Sequence, residues 1–146
     1  MTITKKIEQG FGNGVNGLYD VLKWFNNMPV DADITVGAEG TNVINVAIQL
    51  KDYLGNNIAA PSYVRAYFCT TTAGTTKETT TVSTETAIGT DGEILIVTAK
   101  TEYMLLSEAD GSIDIDITDT GTNDTYLAVV LPTGRIVVSD NIKFTT

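Results

Sequence analysis

The chain has 146 residues, 42% of them hydrophobic and 18% charged, and carries a formal net charge of −9. One domain of that length holds a full hydrophobic core without staples, and the acidic balance disfavours nucleic acid and anionic membranes, which are held by basic side chains. With no histidine and one cysteine, Cys69, the sequence excludes an internal disulfide, a Cys/His zinc site and the Ser-His-Asp or Cys-His nucleophiles.

In chain order, residues 1–10 lack the apolar core of a signal peptide, and no later run reaches the ~18 apolar residues that cross a bilayer. The expectation is a protein made in a reducing cytoplasm. Residues 10–17 are a glycine-rich joint. Their Gly12-x-Gly14-x-x-Gly17 pattern matches a dinucleotide fingerprint, but the parallel sheet that gives that fingerprint its chemistry is not expected here. From about residue 13 to 28, Val15, Leu18, Leu22 and Phe25 fall at helical spacing, and Val21, Trp24 and Met28 widen the stripe. Asn26, Asn27 and Pro29 end this predicted amphipathic helix. The first 30 residues balance at +1, so the remainder carries −10.

From about residue 33 the period changes to two. Ile34–Val36, then Ile44, Val46, Ile48 and Leu50, then Val64, Ala66 and Phe68 read as strands, each with one apolar face. The threonine-rich segment Thr70–Thr86 reads as a long surface loop or outlying hairpin that builds no core. Glu93–Thr98 and Glu102–Ser107 follow. Ser112–Thr118 is the clearest strand, with Ile113, Ile115 and Ile117 on one face and Asp114 and Asp116 on the other. Thr125–Leu131, Arg135–Val138 and Asn141–Phe144 close the chain. About seven or eight short strands with turn residues between them predict an all-β, immunoglobulin-like antiparallel sandwich. The expected organisation is an N-terminal attachment arm at 1–32 and one sandwich at 33–146.

Several segments carry resemblances. Val46–Ala59 resembles the second strand and turn of bacterial immunoglobulin-like domains. Asp124–Val130 resembles the strand of the tyrosine corner, with Tyr126 in the corner and Ala128 where an antibody domain has its second cysteine. More widely, Val36–Val46, Val64–Tyr67, Ala87–Gly92, Ser107–Gly111 and Leu127–Gly134 resemble a family of tailed-bacteriophage virion accessory proteins, over roughly residues 33–144. That resemblance implies a structural protein of the virion, on the capsid surface, whose partner is the phage major capsid protein. It also implies a homo-oligomer, with a trimer suggested by threefold shell sites.

The expected function is capsid decoration or stabilisation, anchored by the N-terminal segment. Val15, Leu18, Leu22, Trp24 and Phe25 are the expected partner-binding residues, as apolar anchors for a groove. The same stripe also fits a helix folded back on its own sandwich. The alternative function is a tail- or vertex-associated adhesin-like module that binds host-surface carbohydrate through loops such as Thr70–Thr86. No catalytic residue and no cofactor is expected. Asp110, Asp114, Asp116, Asp119 and Asp124 are candidate Ca²⁺ ligands, but they lack the loop spacing of a known calcium motif. Cys69 reads as a small strand residue, and Asn123-Asp-Thr125 as a glycosylation pattern without meaning in an unsecreted chain.

Overall fold

The computed structural model describes residues 27–80 and 82–145. The chain forms β1 (Asp31–Val36), β2 (Val43–Lys51), β3 (Tyr63–Cys69), β4 (Ala87–Ile88), β5 (Glu93–Thr98), β6 (Glu102–Leu106), β7 (Ser112–Thr118), β8 (Asp124–Val130), β9 (Ile136–Val138) and β10 (Ile142–Lys143). Every strand pair is antiparallel. The smaller sheet runs β1-β2-β7-β4, and the larger runs β10-β8-β3-β6-β5 with β9 also on β8. Packed together they make an all-β sandwich. The order is that of an immunoglobulin constant domain, ABED facing GFC, with the β5–β6 hairpin inserted between the fourth and fifth strands of that plan. The predicted helix lies outside the described residues as far as residue 26, its anchors Val15, Leu18, Leu22, Trp24 and Phe25 included; Asn27 and Met28 form a turn and a bend.

The alternation in the sequence explains the core. Register sets Ile44 beside Ile117, Val46 beside Ile115 and Ile48 beside Ile113, and all six side chains are buried. Opposite them stand Val64, Ala66, Phe68, Tyr103, Leu105, Leu127 and Val129 of the larger sheet. Phe68 and Tyr103 meet edge to face at 6.1 Å. Each buried isoleucine contributes roughly 1.5–3 kcal/mol, which makes a one-residue slip of β7 prohibitive.

The smaller sheet takes in Asp31 and Ala32, with Val30 N–H donating to Lys51 O at 2.9 Å. Two expectations are corrected. Tyr126 and Ala128 do not occupy a tyrosine corner. They sit on the outer face of β8 with Tyr67 and Cys69, while Leu127 and Val129 take the core phase. The threonine-rich segment is not merely a surface loop either. Val82 and Thr86 are buried, and Gly74 lies on the larger sheet, where its carbonyl accepts a 2.6 Å hydrogen bond from the Tyr67 hydroxyl. Gly74 has φ +67°, and a Cβ there would stand 2.9 Å from Val138 and 3.0 Å from Ile136. Only glycine meets both demands.

Candidate functional site

The larger sheet is wider than the smaller one, and its β5–β6 hairpin carries the excess. The strand that ends the smaller sheet on that side, β4, has two residues. Among the described residues β5 pairs only with β6, which leaves its other edge without a strand. Ile94 packs against the core. Ile96 shares its phase but is 47% exposed, and Leu95 and Val97 are 67% and 53% exposed. The register shifts between Ile96 and Thr98, so Val97 is bulged. Beside this edge Tyr63, Glu93, Ile94, Leu95, Met104 and Leu106 line a shallow cleft of about 240 Å³. An unpaired edge whose centre, Ile94–Val97, is wholly apolar is a template for another strand.

One end of the hairpin is tied by charge. Glu102, beside Thr98 and Tyr67 in register, accepts from Arg65 Nε and from Lys77 Nζ, the latter at 2.6 Å. Burial acts to raise its carboxyl, but the hydrogen bonds from Lys77 and Arg65 and their charges outweigh it and hold Glu102 below its ordinary value. Both cations also stand over the Tyr67 ring, at 5.8 Å for Arg65 and 5.0 Å for Lys77. Glu85 makes a second tie by accepting from the Tyr103 hydroxyl at 2.8 Å and Lys100 N–H at 2.9 Å. Burial opposes its ionisation as well, yet these donors and Thr86 N–H keep it lowered.

The five aspartates of the sequence pattern do not converge. Asn45 Nδ2 donates to Asp114 at 2.7 Å and to Asp116 at 2.9 Å, so these two carboxylates share one amide. Asp114 also presses on Gly89, where a Cβ would fall 1.8 Å from its oxygen. Asp110 caps its own turn through Ser112 N–H and Oγ. Asp119, at the other end of β7, is buried and accepts from Gly121 N–H and Asn123 Nδ2. Asp124 opens β8 in the other sheet. Among the described residues no three metal-ligating side chains gather.

No family model, curated protein or solved structure matches the chain. The site therefore rests on its own geometry. Burial pushes the Cys69 thiol up and outweighs a backbone hydrogen bond at Thr71 that acts to lower it, and the side chain is fully enclosed; a nucleophile needs the reverse. Asn123 is one of the groups that hold Asp119. The partner-binding residues Val15, Leu18, Leu22, Trp24 and Phe25 are outside the described residues, as is the glycine fingerprint. Leu95, Ile96 and Val97 were not singled out from sequence. Their signal was the unbroken apolar run Ile94–Val97, which reads equally well as a fully buried strand.

Proposed function

We propose that this chain is a structural virion protein that binds the outside of a phage capsid and decorates or stabilises it. The segment resemblance over residues 33–144 supports the virion setting. The observation that carries the reading is the polarity of the sandwich. Asp33, Asp114 and Asp116 put carboxylates on the smaller sheet, while the larger sheet ends in the bare Leu95, Ile96 and Val97. A module built this way associates along one side and keeps the other in water. In this reading the near-neutral N-terminal segment supplies the attachment, with Leu22, Trp24 and Phe25 as anchors. Many copies convert weak contacts into lattice stability.

Quantitative peptide mass spectrometry on purified particles of the source phage, scaled to the major capsid protein, tests it. Hundreds of copies per particle are expected. A handful would transfer support to the tail- or vertex-associated adhesin, and complete absence would overturn the virion reading. Removal of residues 1–28 is expected to abolish shell binding and leave the strand signal in circular dichroism intact. Shell binding retained after that removal would overturn the anchoring role.

A further inference from the structure

We propose that two copies of this chain pair through β5, edge to edge and antiparallel, about a twofold axis at Leu95. Natural edge strands are blunted by charge, proline, shortness or a bulge. Here Ile94–Val97 contains no charge and no proline, and the strand's protection is confined to its ends, the Glu93 carboxylate at the start and the bulge at Val97. The exposed apolar side chains also point to both faces: Leu95 outward, beside Met104, and Ile96 in the inward phase, beside Tyr103. A helix or loop laid on one face would cover half of them. A strand added to the edge contacts both.

The chemistry of β5 fits a second copy of itself. Residues directly opposite in an antiparallel pair share a face, so an axis normal to the sheet at Leu95 sets Leu95 against Leu95, Ile94 against Ile96 and Glu93 against Val97. This register joins the apolar run most fully and keeps the two Glu93 carboxylates apart. Centring on Glu93 would oppose them, which is destabilising. The strand is also polar end to end, with Asp91 and Glu93 at its start and Lys100 just past its end. Antiparallel pairing lays the acidic end of one copy along the basic end of the other. Each sandwich carries a net −10 overall, so screening of that long-range repulsion strengthens the pair as salt rises.

The inference concerns the purified chain and does not rest on the virion reading. In the paired register the two Leu95 Cα atoms stand about 4.5–5.5 Å apart, within reach of a disulfide. The full-length variant Leu95→Cys is therefore expected to oxidise to a covalent dimer. Leu54→Cys serves as the reference, since Leu54 is 62% exposed in the turn after β2 and away from the edge. Leu95→Cys should link about a hundredfold faster, from the millimolar effective concentration of a paired site. The native Cys69 is fully buried and does not compete. Sedimentation of the unmodified chain should show dimer increasing with salt, and Ile96→Lys should remove it. Equal linking rates for the two cysteine variants, or a native chain that stays monomeric well above micromolar concentration, would overturn the proposal. A Leu95→Cys thiol that becomes reactive only after residues 1–26 are removed would also overturn it, by assigning the edge to the chain's own N-terminal segment.

Discussion

On the β8–β3 half of the larger sheet, Tyr67, Cys69 and Ala128 are buried on the outer face beneath the chain that follows β3. On the β6–β5 half, Leu95 and Val97 stand more than half exposed. Both halves present apolar side chains, so composition does not separate them. What separates them is the connection each strand receives. The chain after β3 returns across the sheet, with Thr70 N–H bonded to Thr76 O and Glu78 N–H to Phe68 O, and Gly74 fits where no other residue would. The chain after β5 turns directly into β6, with Thr101 N–H bonded to Thr98 O, and no described residue is paired along the strand's other edge. One half completes its packing within the chain. The other leaves apolar side chains exposed among the described residues.

Substitutions at matched positions expose the contrast, and the largest effect is expected on the covered half. Tyr67→Ala removes a buried ring, its bond to Gly74 and the seat of two cations, and should cost about 3–5 kcal/mol in urea unfolding. Gly74→Val meets both Val138 and the positive φ, and should cost about 1–3 kcal/mol; a variant as stable as the native chain would show that the loop does not pack there.

Acid acts at the junction of the halves. Glu102 ionises more readily when folded than its ordinary value of 4.5, as does Glu85. Their contribution is fully present above that value and is lost as pH falls through the lower folded value. Urea midpoints should therefore fall as pH drops below that ordinary value of 4.5, and fall less in Glu102→Gln. The smallest effect belongs to the bare half. Leu95→Ala should change monomer stability by no more than about 0.5 kcal/mol, measured at low salt and low concentration; a loss comparable to Tyr67→Ala would mean that the edge is covered within the chain.

The sandwich was legible in the sequence where side chains alternate strictly. Ile113, Ile115 and Ile117 specify a face, and so do Ile44, Val46, Ile48 and Leu50, because a strand has no other way to bury them together. β4 was not legible: Ala87 and Ile88 are too few to show a period, and their pairing depends on Asp116 and Ile115 far along the chain. The phase of β8 was misread because Thr125–Val130 is apolar on both faces. Tyr126 then looked like a core corner although Cys69, its partner in register, lies on the outer face. The role of Thr70–Thr86 was hidden for a related reason. Threonine content says nothing of where Gly74 lands, and that is decided by Val138 and Ile136 more than sixty residues later. The edge was visible as an apolar run, but exposure is a property of the facing sheet and not of β5.

The enclosed thiol of Cys69 makes the covered half a clock. It is the single cysteine of the chain, sealed under the loop with its sulfur against the carbonyls of Thr71 and Tyr126. A thiol reagent reaches it only when that loop lifts, so the rate of modification at saturating reagent counts openings, and its dependence on urea tells local lifting from global unfolding. The native chain thus carries its own reporter of how often one sheet face is uncovered, without any label being introduced.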